Sequence, residues 1–395
     1  MTEAQFLQLA LRLARRGAGT TSPNPMVGAV LVRNGKIIGR GWHRRAGGPH
    51  AEVEALRDAQ LGGHPTRGAT LYVTLEPCCT HGRTPPCTKA ILAAGLRRVV
   101  VGATDPNPKH AGRAFSILKR AGIEVTQAGL SNAFPDRIAN ACTDLNEAFN
   151  HWILHRTPFV TVKAALTLDG KIATADGQSQ WITGEKSRAQ GMKLRRNSDA
   201  ILVGIQTILK DDPSLTVRSP KAVAGSGKPS LRLRRIILDS GARTPLDSKI
   251  VSDAAAGATT IVVSRSAPRK RVAALAKKVR VLVAPAAPSA GRNRRPPLDL
   301  RWLLKKLGSE NVTRLLVEGG GEVNASFLLG GFAQRVAFFY APKILGGQAS
   351  RRGVAGDGAK NLSECVPLRD IRWRRLGEDL LLTARVDNPK PVSGF

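Results

Sequence analysis

The sequence predicts an α/β protein of two domains, each a sheet flanked by helices. Three observations predict it. At 395 residues the chain exceeds one ordinary domain, and a 42% hydrophobic content is ample for two cores. Short Val/Ile/Leu-rich runs alternate with stretches whose apolar residues recur at helical spacing, the pattern of a layered α/β protein. That alternation gives way across residues 131–155 to one long helical stretch, followed by a new strand at 159–164, so the domains are assigned to residues 1–148 and 149–395.

In the first domain, Phe6, Leu9, Ala10 and Leu13 recur at helical spacing and predict an amphipathic helix over 3–16. The Pro/Gly/Asn-rich segment 20–28 cannot continue it. Strands at 27–32 and 36–39 flank Asn34-Gly35, a strong hairpin signal. Pro49 precedes a helix that starts near His50. Residues 69–75 form a buried strand whose end delivers Glu76-Pro77-Cys78 to that helix tip. Beyond the loop 78–86 come a helix closed by Gly95, a strand at 97–104, a turn at 105–108, a helix at 111–122 and a strand at 123–129.

The second domain reads as a helix at 185–197, strands at 200–204, 234–239 and 259–264, a helix at 298–308, a strand at 312–320, a helix at 322–330 and a strand at 335–340. The Ala/Pro/Arg-rich segment 284–297 predicts a mobile surface loop. No internal repeat is evident.

Composition narrows the function. No apolar run approaches the roughly 20 residues that span a bilayer. Glu3 precedes Arg12, Arg15 and Arg16, the reverse of a signal peptide's charge order, which predicts a cytoplasmic protein. Of the five cysteines, Cys78, Cys79 and Cys87 fall within ten residues, too clustered for a disulfide scaffold and suited to a metal or catalysis. Cys142 and Cys365 stand alone and read as ordinary thiols. The net charge is +32, a surplus of 9 in residues 1–148 and 23 in the rest. Such an excess favours anionic partners, either nucleic acid or small phosphorylated metabolites. With aromatics at 4%, stacking platforms for single-stranded nucleic acid are scarce.

The chemistry concentrates at His50-Ala51-Glu52, answered by Pro77-Cys78 and Cys87. One imidazole and two thiolates are the three protein ligands of a hydrolytic zinc site, and Glu52 is a free acid/base beside them. The order matches the H-x-E…P-C-x-x-C deaminase signature, except that the second Cys lies across a longer loop. A structural zinc would recruit His81 or Cys79 as a fourth ligand and would have no use for Glu52. In the second domain, polar and Gly-containing segments over 163–218 end predicted strands, where open α/β sheets bind ligands. The run Glu318-Gly319-Gly320-Gly321 would let backbone N–H groups approach a phosphate, or is simply a Gly-rich turn.

The segments PNPMVG, HAE, PCCTHGRTPPC and DPNP, in that order, resemble the deaminase half of the bacterial bifunctional riboflavin-biosynthesis deaminase/reductases. That family's loop has eight residues between its cysteines, as here between Cys78 and Cys87. The segments KAALTLDGK, SQWITG, DDPSLTVR and EGGG resemble its reductase half, and the resemblance covers nearly the whole chain. It implies a cytidine-deaminase-like three-layer α/β/α domain followed by a dihydrofolate-reductase-like α/β domain. The implied cofactors are Zn2+, held by His50, Cys78 and Cys87 with Glu52 catalytic, and NADPH. Asn24, His43 and Arg83 would meet the deaminase substrate. Ala165, Trp181, Thr207, Asp211, Ser240, Gly320, Gly321, Glu322, Val323, Asn324, Ala325 and Ser326 would meet NADPH. Ser179, Arg195, Leu215, Arg218 and Glu318 would meet the reductase substrate, with Lys163 pointing into the same pocket. Two arginines suit a phosphorylated pentose, because guanidinium grips phosphate bidentately.

One departure is local. Many relatives have Ser-His after the first Cys, and this chain has Cys79-Thr80, so a contact is lost there or replaced by His81. The expected substrates are small phosphorylated pyrimidines, and pairing through the reductase domain would suit the family. The rival reading is an RNA-binding, base-modifying zinc deaminase whose second domain is a basic accessory module.

Overall fold

A computed structural model describes residues 1–81, 85–131, 134–217, 233–287 and 298–387. The chain forms two compact units, residues 1–156 and 157–395.

The first unit runs α1 (Glu3–Ala14), β1 (Gly28–Arg33), β2 (Lys36–Trp42), α2 (Ala51–Leu61), β3 (Thr70–Val73), α3 (Cys87–Ala93), β4 (Arg98–Val101), α4 (Arg113–Arg120), β5 (Glu124–Gln127), α5 (Asp136–Leu145) and α6 (Glu147–His155). Its sheet has the order β2-β1-β3-β4-β5, antiparallel about β1 and parallel from β3 to β5. Alternation along β1 sorts its side chains onto two faces. Ala29 and Leu31 pack with residues of α2, α3 and α4, whereas Val30 and Val32 pack with α1 and α5. Both faces of the sheet are therefore covered, and the result is three layers.

The helical stretch expected over 131–155 is two helices. Asn146 interrupts it at φ −109, and its buried side chain holds Met26 twice, accepting from Met26 N (2.8 Å) and donating to Met26 O (2.9 Å). An Asn whose amide bonds another segment's backbone competes with the helix at its own position.

Two glycines in β2 fix how closely α2 lies over it. A Cβ on Gly39 would stand 2.2 Å from Ala55 O, and one on Gly41 2.2 Å from Ala51 O and 2.4 Å from Ala55 N. The helix rests on bare strand backbone, and Ala51, Ala55 and Ala59 line the contact.

The second unit comprises β6 (Phe159–Thr167), β7 (Lys171–Ala173), α7 (Glu185–Arg196), β8 (Ala200–Gly204), α8 (Ile205–Asp211), β9 (Arg234–Leu238), α9 (Lys249–Ser252), β10 (Thr259–Ser264), α10 (Arg269–Ala276), β11 (Arg280–Ala284), α11 (Leu300–Ser309), β12 (Arg314–Val317), α12 (Gly321–Leu328), β13 (Arg335–Ala341), β14 (Arg351–Arg352), β15 (Leu368–Leu376) and β16 (Asp379–Val386). Nine strands form one sheet, β11-β10-β9-β8-β12-β6-β13-β16-β15, parallel up to β13 and antiparallel beyond it; β7 and β14 pair separately. One face packs on α11 and α12, the other on α8, α9 and α10. The antiparallel edge β16-β15 escapes sequence reading because β15, LRDIRWRRL, is exposed along nearly its whole length and so lacks an apolar period. Of the segment read as a loop, Ala284 closes β11, Ala286 bridges Leu298, and 288–297 lie outside the described residues.

Gly41→Ala would drive a methyl group into backbone that cannot yield. The expected cost is about 1–3 kcal/mol or more, read as a lower melting midpoint, with His50 and Glu52 displaced and zinc content reduced.

Candidate active sites

The first site is built at the ends of β2, α2, β3 and α3. His50 is the N-cap of α2 and Glu52 lies in its first turn. Cys78 follows β3, and Cys87 opens α3. The strand end that carries Cys78 is held by Glu76, whose buried carboxylate accepts from the backbone N–H groups of Asp105, Gly112 and Ala114 at 3.2, 2.9 and 3.1 Å. The Asp105-Pro106-Asn107-Pro108 turn is thereby tied to the strand that delivers a ligand. Sequence reading did not single out Glu76 for this. Its position directly before Pro77-Cys78 was the available signal.

One ligand atom each from His50, Cys78 and Cys87 lies within 4.8 Å of the others. His50 Nδ1 is 3.5 Å from Cys78 Sγ and 3.3 Å from Cys87 Sγ. With bonds of about 2.0 Å to nitrogen and 2.3 Å to sulfur, a tetrahedral zinc ion would set such an edge near 3.5 Å. The Cys87 N–H also donates to Cys78 Sγ at 3.3 Å, a bond that favours the thiolate. The residues fit zinc.

The three groups interact electrostatically, and hydrogen bonding to Cys78 pushes the Cys87 thiol well above its usual range. Hydrogen bonding from Cys87, helped by His50, holds the Cys78 thiol far below its usual range. Its bond to Cys78 raises His50 against the opposing effect of burial. Glu52 is 3% exposed, and its Oε2 has no hydrogen-bond partner. Burial pushes its carboxyl up to about 7, into the range of a proton carrier at neutral pH. A buried orphan oxygen beside a ligand triangle is poised for a group that arrives with the substrate.

Asn24 and His43 stand at the same site. His43 Nδ1 faces Pro49 O at 2.9 Å, and a carbonyl can only accept, so Nδ1 carries the proton. Nε2 then accepts from Asn24 Nδ2 at 3.2 Å. The His43 ring meets His50 edge-on, with centroids 5.2 Å apart, and burial lowers its pKa. Cys79 is turned away, its Sγ 3.5 Å from His110 Nδ1, and does not join the ligand triangle. Arg83 lies outside the described residues.

The second unit holds a cavity of about 640 Å³ at the C-terminal ends of parallel strands, where such sheets bind ligands. Its lining includes the expected Lys163, Ala165, Ser179, Thr207, Asp211, Glu318, Gly320, Gly321, Glu322 and Val323. Asn324, Ala325 and Ser326 are not in the lining because α12 begins at Gly321 and carries them inward or away. Asn324 and Ala325 are fully buried, Asn324 Nδ2 donating to Gly353 O at 2.8 Å, and Ser326 Oγ bonds back to Glu322 O at 2.8 Å. Leu215 is core, Ser240 accepts from Ser264 N and Oγ, and Trp181 is exposed under the Arg188 guanidinium. Arg218 lies outside the described residues. Residues that sequence reading missed include Gly177, Lys210, Arg351 and Arg352.

Arg195 was expected to grip a phosphate. Here its Nε and Nη2 donate to both oxygens of Glu318, at 2.8 and 2.9 Å, and Nη1 reaches Thr216 O at 3.4 Å. Lys163 Nζ stands 3.6 Å from the same carboxylate and over the Phe339 ring. Burial would raise Glu318, but Lys163 and Arg195 hold it at about 2.

Both halves of the chain have counterparts among known proteins. A family described as the RibD C-terminal domain matches residues 158–382, and one described as the cytidine and deoxycytidylate deaminase zinc-binding region matches residues 1–103. The riboflavin biosynthesis protein RibD of Actinobacillus pleuropneumoniae is 40% identical over 98% of this chain and 96% of its own length. That of Aquifex aeolicus is 42% identical over 96% and 97%. Among solved structures, Acinetobacter baumannii RibD superposes with a TM-score of 0.79 at 34% identity, covering 97% of this chain and 98% of that one. The Thermotoga maritima diaminohydroxyphosphoribosylaminopyrimidine deaminase/5-amino-6-(5-phosphoribosylamino)uracil reductase does so at 0.76 and 32%, with the same coverage.

The Glu318 ion pairs set a pH window. A carboxyl near 4.5 when unfolded and about 2 when folded stabilises the fold above pH 4.5, and this is lost as pH falls through about 2. Glu318→Gln strands two cations and should cost roughly 3 kcal/mol at neutral pH. Calorimetry of the full chain should find the difference from wild type shrinking as pH falls across that window.

Proposed function

This chain belongs to the RibD family, and on that premise we propose how its residues divide the family's chemistry. It is a bifunctional enzyme of riboflavin biosynthesis, a zinc-dependent deaminase with a cytidine-deaminase-like fold joined to an NADPH-dependent reductase with a dihydrofolate-reductase-like fold. The deaminase chemistry belongs to residues 1–148 and the reductase chemistry to residues 149–395. The match over residues 158–382 favours a reductase in the second half over a basic RNA-binding module.

The deaminase would remove the 2-amino group of a diaminopyrimidinone ribosyl phosphate. His50, Cys78 and Cys87 would hold zinc, which when bound brings the pKa of a water toward neutrality. Glu52 takes a proton from the attacking water and delivers it to the departing nitrogen. The new bond is from water oxygen to ring carbon, the broken one is carbon to nitrogen, and ammonia leaves. The observation that carries this role is the buried, unpartnered Glu52 Oε2. Asn24 and His43, with the His43 proton fixed on Nδ1, would present polar atoms to the pyrimidine, and Arg83 would hold the phosphate.

In the second half NADPH, when bound, supplies a hydride that reduces the ribosyl group of the deaminated product to ribityl. The chain positions and desolvates. Ala165, Thr207, Asp211 and the Gly320–Gly321 turn would face the cofactor, while Lys163, Ser179 and Glu318 would face the substrate. Arg195 fits a positioning role through Glu318. We further propose a cytoplasmic location, since the three clustered thiols need a reducing compartment. A homo-oligomer paired through the reductase half suits the exposed Ile371 and Trp373 of edge strand β15.

The purified protein should release ammonia from the diaminopyrimidine with or without NADPH, and yield ribityl product when NADPH is present. Glu52→Gln should abolish ammonia release, a loss of at least about a hundredfold, while the protein keeps its zinc. Loss of the metal instead would make Glu52 a ligand.

A further inference from the structure

Gly177 lines the reductase cavity in the turn after β7, at φ +93. A Cβ at this position would stand 2.4 Å from Lys210 Nζ and 3.1 Å from Arg351 Nη2. Without a side chain, Gly177 lets two cationic heads close over its backbone. They come from separate elements. Lys210 lies in the last turn of α8, and Arg351 lies on β14, opposite Ala173 of β7.

Both side chains line the cavity. Among the described residues neither makes an ion pair, and the Glu318 carboxylate in the same cavity is already engaged by Arg195 and Lys163. Like charges gathered around one glycine repel each other, and more strongly against a low-dielectric wall than in water. Asp211 and Glu322 also line the cavity, yet among the described residues neither pairs with Lys210 or Arg351, so both cations are left to an arriving anion.

We propose that Lys210 and Arg351, closing over Gly177, form a phosphomonoester subsite of the reductase cavity. The inference rests on the reductase reading and adds residues to it that neither motif nor resemblance supplied. The planar guanidinium can take two phosphate oxygens at once, and the ammonium adds a point charge from the other side. Arg195, the arginine expected for this task, has two of its donors committed to Glu318. Two phosphomonoesters enter the reaction, the ribose phosphate of NADPH and the 5′-phosphate of the substrate, and they share the chemistry the subsite recognises.

The test is steady-state reduction by the full-length protein with NADPH and with NADH, comparing wild type, Lys210→Met, Arg351→Leu and the double variant. Ammonia release serves as the control for intact protein. Each single variant should raise the KM of one phosphorylated ligand about tenfold, and the double variant further, as loss of charge-assisted bonds predicts. Lys210→Arg should stay near wild type. A rise in KM for NADPH but not for NADH assigns the cofactor's phosphate. A rise in substrate KM with either cofactor assigns the substrate's phosphate. If the double variant leaves both KM values unchanged, the subsite is overturned. If wild type reduces nothing with either cofactor, the reductase reading falls, and the subsite with it.

Discussion

Backbone contact between α2 and β2 is the constraint on which the deaminase site depends. Ala51 and Ala55 stand where Gly41 and Gly39 leave no side chain, so helix and strand meet at backbone distance. His50 caps that helix and Glu52 lies in its first turn, so the depth of the contact sets where both reach the cysteines. The cysteines arrive from β3 and α3, and Glu76 anchors the strand end that brings Cys78. None of the three ligands is positioned by its own loop alone. This is how a metal triangle can be accurate without a disulfide or a long rigid motif.

The second unit solves a related problem with charge. Glu318 follows a parallel strand and would resist ionisation where it sits, yet Arg195 and Lys163 keep it anionic. Such a buried group is costly to assemble and costlier to break, which makes it a fixed point in a cavity that must receive two ligands. The remaining cations of the cavity are left to deal with phosphate. The large positive surplus of the second half thus has at least one local use, over Gly177, and another part of it lies on the exposed strand β15.

Polar anchors link these local facts to the fold. Asn146 divides one long helical stretch in two and pins Met26, which in turn steadies the segment carrying Asn24. The imidazole of His43 is oriented by Pro49 and Asn24 together, so a single protonation pattern serves both contacts. Bonds of this kind contribute modestly to stability, but leaving one unmade in the interior is expensive, and that asymmetry is what fixes geometry.

What could be read from the sequence was local. The strand at 27–32, the Asn34-Gly35 hairpin and the His50/Glu52 spacing each depend on neighbours a few residues away, so pattern and motif expressed them directly. The layered α/β architecture followed, as did the zinc triangle. What the tertiary structure decided involved partners far apart in the chain: Arg195 with Glu318 at a separation of 123, Asn146 with Met26 at 120, and Lys210 with Arg351 over Gly177. The same holds for Asn324, Ala325 and Ser326, which the resemblance put at the cofactor and which α12 carries out of the cavity lining. A motif records which residue types the chemistry needs. Which arginine is free to bind phosphate depends on which carboxylates reach it first, and only the folded chain determines that.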